Sequence, residues 1–515
     1  MNGFKNFLDA RQITQGTVLE GDLCIIGAGA AGITLARAFA DTGVQVILLE
    51  TGGPDYEADI QDLGTIENVG RPYDVAGCRL RYFGGSTNHW GGHCVRLEAL
   101  DFETRDWIPY SGWPFGLEEL TPYYDRAHKV IEIGGTNDDP ALVAKALKYR
   151  LFPFAPEKVK TTLSRYNPQR FGLRYGGELD SASNLKICLY ATVTSIDLDA
   201  SHRRVAQVTV NTLARNPLSV RAKRFVLATG GIENARLLLD SDKDEPKGVG
   251  NTYDLVGRFF MEHIFYPNSI VLPAKIDPAY DIYSDEYPYV DGDRLEVRCH
   301  LALPMELTRE LRIPKFRTEI SLSTEPAHRL FSEDFSAEDV ARLFSRVTDK
   351  LGRMVRGKPW MPTCYRLDNN VEQIPNPDSR ISLSAERNAL GQRVARLDWR
   401  LSNLDREGIR AAHRMIAQEV GRTGFGRYRS FLPEHEDAIL EGADGGMHHM
   451  GTTRMNDDPK QGVVDKNSKV HGLANLYIAG SSVFPCCGWS NPTLTITALA
   501  LRLADHLKGE ITSRD

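Results

Sequence analysis

The chain has 515 residues, about three times the size of a common single domain, so several domains or one large composite fold are expected. Hydrophobic residues make up 42% and charged residues 25%, a globular composition that excludes disorder as the main state. With 62 Lys+Arg against 68 Asp+Glu the net charge is −6, and no basic stripe stands out, which excludes nucleic acid as an expected partner.

No run of about 18 apolar residues occurs, so no membrane span is expected. Met1–Gly21 lacks a basic stretch followed by an apolar one, and with eight sparse cysteines the reading is a reduced, cytoplasmic protein. No Cys/His group has zinc spacing, so no metal is expected, and Cys486–Cys487 reads as two packing thiols. The 45 glycines fall in short clusters, and the clusters organise the rest of the reading.

The first is Gly27-Ala-Gly29-Ala-Ala-Gly32. It follows the apolar run Leu23–Ile26, read as a buried parallel strand, and opens a helix over Ile33–Asp41. Val44–Glu50 is a second strand ending in an acid. Strand, glycine turn, helix, strand and terminal Glu form a dinucleotide-binding unit. Gly27 permits the tight turn, Gly29 lets backbone amides reach a pyrophosphate, and Gly32 lets helix and strand approach. The helix N-terminus adds positive potential, and Glu50 can accept from ribose hydroxyls.

The segment Phe83-Gly-Gly85-Ser-Thr-Asn88-His89-Trp-Gly91-Gly92 suggests backbone packed against a flat ligand. Leu185–Asp197 and Arg204–Leu213 read as strands. Arg224–Gly231 is a further strand, ending in Thr229-Gly230-Gly231 before a helix over Glu233–Leu239. Residues 265–440 have another texture, with strands at Arg380–Ser384 and Arg393–Leu401 and a helix over Asp405–Thr423, and they read as an inserted α+β domain. Ser332–Arg356 has the pattern of an amphipathic helix. The acidic, aromatic run Tyr283–Asp293 reads as a solvated surface loop.

Residues 445–497 carry the densest signal. Leu476–Ala479 is a buried strand whose end, Gly480-Ser481, can meet a phosphate or ribityl chain. Pro492 suits the first turn of a helix through Leu494–Leu503. His448 and His449 precede Asn491 by about forty residues, a sensible pair for alcohol oxidation: a neutral imidazole takes the hydroxyl proton and an amide holds the same oxygen.

Together these segments resemble the glucose–methanol–choline (GMC) family of FAD oxidoreductases, and most of all its pyranose 2-oxidase-like branch. The match runs through the N-terminal unit, Gly84–Trp90, Asn376–Leu383 and roughly 440–507, with 265–365 matching loosely. The resemblance implies an α/β fold. A Rossmann-like, three-layer FAD domain (1–100, 184–264, 440–515) is interleaved with an α+β substrate domain containing an antiparallel sheet (101–183, 265–439). It implies that His448, in the pattern H-x-x-G-T, is the catalytic base and that Asn491 is its partner. It implies FAD contacts at Gly27, Gly29, Gly32, Glu50, Gly85, Asn88, His89, Gly91, Gly92, Val193, Thr229, Gly230, Gly480, Ser481, Pro492 and Thr493. Members of the pyranose 2-oxidase type attach FAD covalently at the position of His89, whereas other His-Trp members hold it without a bond, and Ser86-Thr87-Asn88 departs from the attached pattern. The implied activity is oxidation of a sugar, glycoside or polyol hydroxyl, with oxygen or another acceptor taking the electrons. A homo-oligomer or small accessory subunit is compatible with it. A flavoprotein lyase or binding subunit, and an NAD(P)H-dependent flavin monooxygenase, stay open as alternatives, although no second G-x-G-x-x-G is seen.

Overall fold

The computed structural model describes residues 5–75, 77–291, 293–323 and 364–512. Two large sheets organise these residues. The first is built on parallel strands in the spatial order Phe7–Asp9, Leu185–Leu189, Val46–Leu49, Val18–Ile26 and Pro217–Leu227, with Leu476–Ile478 pairing on the last. Its central strands read as continuous apolar runs because both faces are covered: Leu23, Cys24, Ile25 and Val46–Leu49 are all buried. On the edge away from Val18–Ile26, Pro217–Val220 pair antiparallel with Val205–Asn211, which pairs with Thr192–Leu198.

The sequence suggests one strand over Leu185–Asp197, but the structure has two. Tyr190, at φ +57°, turns the corner between a parallel strand and an antiparallel meander. The left-handed turn at a tyrosine carries no sequence signature of the kind glycine provides.

Helix Ala30–Phe39 packs between the sheet and the long C-terminal helix Thr493–Thr512, which also packs against Leu117–Ile131. Phe171–Ser181 lies on Ala30–Phe39. Leu117–Ile131 and Phe171–Ser181 thus sit on the nucleotide side, although their stretch of chain was expected with the substrate domain. The apolar stripes of both helices are buried against that layer, and these stripes determine where they go.

The second sheet is antiparallel, in the order Gly426–Ser430, His263–Pro273, Cys364–Glu372, Phe316–Ser323, Asp293–Ala302, Lys160–Tyr166 and His93–Cys94. Helix Asn403–Thr423 covers it. Tyr287–Asp291 joins as a hairpin to Asp293–Ala302, which corrects the expectation of a solvated loop. Tyr283, just before it, is fully buried and stacks on Phe152 at 4.1 Å, so the aromatic residues of this acidic run serve the core. A small sheet of Arg380–Arg387, Arg393–Asp398 and Ile66–Asn68 packs on helix Gly230–Asp240. The helix expected at Ser332–Arg356 lies outside the described residues.

Candidate active site

The two sheets share one cavity of about 600 Å³, within the range of small-molecule sites. Sixteen of the eighteen residues singled out from the sequence line it: the proposed catalytic His448 and Asn491, then Gly27, Gly29, Glu50, Gly85, His89, Gly91, Gly92, Val193, Thr229, Gly230, Gly480, Ser481, Pro492 and Thr493. The other two do not. A Cβ at Gly32 would lie 1.8 Å from the carbonyl oxygen of Gly27, so this glycine serves the helix–strand approach expected of it and not ligand contact. Asn88 turns inward instead of meeting a ligand: its amide donates to the Phe83 carbonyl at 3.0 Å and closes the turn.

The nucleotide end is made of backbone. Gly27 has φ +103°, and a Cβ there would strike the Ala228 carbonyl at 2.6 Å. At Gly29, Gly230 and Gly480 a Cβ would meet no protein atom within 4 Å, so these glycines border open space. The Glu50 carboxylate accepts from the amides of Ala28 (2.9 Å) and Gly52 (3.1 Å), which holds it at the cavity wall. Nearby, Arg79 (3.0 Å), Arg81 (3.3 Å) and Arg236 (2.8 Å) gather on the single carboxylate of Glu233. All four line the cavity and leave an excess of positive charge on its wall.

The other end is made of side chains. His448 follows Met447, a non-glycine residue at φ +63°, and its N–H donates to Glu262 Oε2 at 2.8 Å. Its ring is held on both sides: Nε2 lies 3.2 Å from Asn491 Nδ2, and Nδ1 lies 3.0 Å from His263 Nδ1. Asn491 Oδ1 accepts from Arg317 at 3.0 Å, and Arg317 also donates to Glu319 at 2.7 Å. Burial, then the neighbouring His263, Arg317, His93 and His449, hold His448 well below the ordinary imidazole range. The ring is therefore held neutral.

His449 points the other way into a buried polar cluster. Its Nε2 is 3.1 Å from the Tyr73 hydroxyl and 3.5 Å from Cys78 Sγ, and burial pushes it down to about 3. Tyr73 donates to Glu262 Oε1 at 2.5 Å, and burial pushes that carboxyl up to about 8. The thiols of Cys486 and Cys487 face the carbonyls of Asp101 (3.0 Å) and Gln373 (3.5 Å).

Sequence reading missed His263, Arg317, Glu262 and a polar wall. Arg317 and Glu319 on one strand, with Arg366, Asp368 and Asn370 on the next, project alternately into the cavity. Their period of two was a usable signal. His263 had none, since a histidine opening a strand is common.

The GMC oxidoreductase family model matches residues 375–500, the segment that delivers both His448 and Asn491. The chain is 25% identical to paromamine 6'-oxidase of Streptomyces fradiae, over 96% of this chain and 92% of that one. It is 25% identical to 2-methyl-1,2-propanediol dehydrogenase of Mycolicibacterium austroafricanum, covering 94% and 95%. The family model and these relatives together support a GMC-family FAD oxidoreductase. The fold agrees: pyridoxine 4-oxidase from Mesorbium loti superimposes with a TM-score of 0.57 at 20% identity, over 95% of this chain and 99% of that chain. These matches support an FAD enzyme that acts on alcohol groups. The residues present fit that cofactor. The open space beside Gly29, Gly230 and Gly480 is a cradle that side chains would fill, and the arginine-rich wall suits an anionic dinucleotide. Among the described residues, no helix is long and apolar enough to cross a membrane.

Proposed function

We propose that the protein oxidises a hydroxyl of a neutral polyhydroxylated compound, a sugar, glycoside or polyol, with His448 as the base. The observation that carries this is the 3.2 Å approach of His448 Nε2 to Asn491 Nδ2 at the cavity wall. A substrate hydroxyl entering there would donate its proton to the imidazole and accept from the amide, so one oxygen is both activated and oriented. Bound FAD supplies the acceptor for the carbinol hydride. The chain's own work is to take the proton at Nε2, to hold the oxygen with Asn491, and to keep His448 neutral through burial and the nearby Arg317.

The substrate class is read from the adjoining wall. Arg317 pairs with Glu319, and Arg366 grips Asp368 with two hydrogen bonds of 3.1 and 3.0 Å. Their charges cancel, while Asn370 adds further donors and an acceptor. Such a surface offers many hydrogen bonds and no net charge, which matches several hydroxyls better than an anion or cation. Gly27, Gly29, Glu50, Gly85, Gly91, Gly92, Val193, Thr229, Gly230, Gly480, Ser481, Pro492 and Thr493 are read as the cofactor side.

The test is anaerobic. Sugars, glycosides and polyols added to the holoenzyme should bleach the flavin spectrum, and NADPH should not. Parallel assays with oxygen and with a quinone-type dye identify the acceptor. His448→Ala should lower the rate of flavin reduction by about 10²- to 10⁴-fold. A His448→Ala enzyme reduced at the wild-type rate would remove the proposed mechanism.

A further inference from the structure

The contacts around His448 and Asn491 determine which way every hydrogen bond runs. A carbonyl oxygen can only accept, so the proton of His263 sits on Nε2, 3.3 Å from the Cys487 carbonyl. His263 is fully buried and neutral, since burial pushes it down to about 4, so its lone pair is at Nδ1. That lone pair lies 3.0 Å from His448 Nδ1, which must therefore donate. Neutral His448 is left with its lone pair at Nε2, facing Asn491. From the opposite side, a guanidinium can only donate, so the atom of Asn491 at Arg317 is Oδ1 and the NH₂ faces His448. The Cys487 carbonyl and the Arg317 guanidinium are fixed anchors, and everything between them has one consistent polarity.

We propose that His263 and Arg317 are positioning residues that lock this polarity, His263 by fixing the tautomer of His448 and Arg317 by fixing the amide of Asn491. The proposal rests on the reading of His448 as the base. Loss of either lock produces the same error. Without His263, the His448 proton can move to Nε2, the nitrogen that must be empty to receive the substrate proton. Without Arg317, the Asn491 amide can flip, and an oxygen facing His448 favours a proton on Nε2. The framework supports the lock. His263 stands opposite Glu372 in the sheet register, and Glu372 is gripped by buried Arg105 through bonds of 2.8 and 2.5 Å. Arg317 is itself held by Glu319 at 2.7 Å, so the two are replaced together; Glu319 also stands 3.9 Å from buried Arg298, which keeps its hydrogen bond to the Tyr283 carbonyl at 3.0 Å.

The first test reads the tautomer directly. Holoenzyme labelled with ¹⁵N-histidine and free of substrate is examined by long-range ¹H–¹⁵N correlation, with the His448 signals assigned from their loss in His448→Ala. A pyrrole-type Nδ1 and a pyridine-type Nε2 are expected, and a protonated Nε2 overturns the proposal. In His263→Leu both tautomers should appear, with kcat about ten- to a hundredfold lower and KM nearly unchanged. His263→Asn, whose Oδ1 can accept from His448 Nδ1, should recover most of the rate. A His263→Leu enzyme at wild-type kcat with the wild-type tautomer refutes this half.

The second test is a double-mutant cycle. Arg317→Met/Glu319→Gln should lower kcat about tenfold or more, and Asn491→Ala should then cost little further, because Arg317 acts through that amide. If the two losses multiply instead, Arg317 does not act through Asn491. Failure of the base reading itself is separable, since it appears as an active His448→Ala enzyme.

Discussion

The two ends of the cavity are built from different materials. At the nucleotide end the chain contributes backbone: glycines that admit a ligand, amides that hold Glu50, and a helix N-terminus after Gly29. At the reaction end it contributes side chains: Arg317, His448 and Asn491 line the cavity, joined by hydrogen bonds through Asn491, and Glu262 and His263 hold His448 from behind. Backbone recognition is tolerant of side-chain identity but not of added volume. A side-chain constellation tolerates volume but not a change of polarity. The two ends should therefore fail in different ways.

The largest effect should come from the charges behind the reaction end. Glu372 is buried and paired with Arg105, and Lys315 beside it reaches Asp101 at 2.8 Å and Glu98 at 2.7 Å. Glu372→Gln leaves Arg105 without its counter-charge and is expected to cost about 3–5 kcal/mol, read as a lower urea midpoint. A midpoint equal to wild type would show that the reaction end does not depend on this framework.

Next comes a contrast between neighbouring glycines. Gly29→Val adds volume where no protein atom lies within 4 Å, so the protein should fold but bind FAD about ten- to a hundredfold more weakly. Gly32→Val drives its Cβ into the Gly27 carbonyl, so folded yield itself should drop. Flavin content measured against folded protein separates the two failures, and equal behaviour would blur the comparison.

A smaller effect concerns pH. Glu262 binds a proton more tightly when folded, with its pKa pushed up to about 8 from an ordinary 4.5. The folded state therefore holds more protons than the unfolded state between those values, and stability falls as pH rises from about 4.5 to about 8. His449, pushed down to about 3, acts oppositely: its contribution is complete above its ordinary 6.5 and is lost as pH falls toward 3. Glu262→Gln should flatten the decline of Tm between pH 6.5 and 8, and a Tm profile unchanged by the substitution would contradict this account.

The smallest expectation is chemical. His89 lines the cavity, but Ser86-Thr87-Asn88 before it departs from the covalently attached pattern and Asn88 is spent on closing its own turn. Acid precipitation should therefore leave the yellow flavin in the supernatant. A fluorescent protein pellet would mean a covalent bond at His89.

The same division explains what the sequence disclosed. Gly27, Gly29, Gly32 and Glu50 were legible because their work is local: a turn, a helix start and a strand end, all within one βαβ unit. His448 and Asn491 were singled out through the resemblance of one segment to a family pattern, and the fold brings Nε2 of the one within 3.2 Å of Nδ2 of the other. His263 and Arg317 were not, because their meaning lies in what stands across the sheet, and strand register joins residues with no pattern linking them in the chain. Asn88 misled because an amide beside glycines serves equally well to close a turn. Tyr283 misled because its acidic neighbours resemble surface, while its own ring belongs to the core.

The short strand Leu476–Ile478 has a consequence in time. It pairs in parallel with Phe225–Leu227, and its end presents Gly480 and Ser481 to the cavity. During synthesis the N-terminal unit leaves the ribosome first and can form its turn and helix early. The sheet edge beside Phe225 must wait for some 250 further residues before its partner arrives. His448 and Asn491 emerge in the same late stretch, so the growing chain acquires its nucleotide turn long before it acquires the groups that would react with a substrate. Early capture of cofactor would then be harmless, and a translation stop before residue 476 should leave an open sheet edge that invites aggregation.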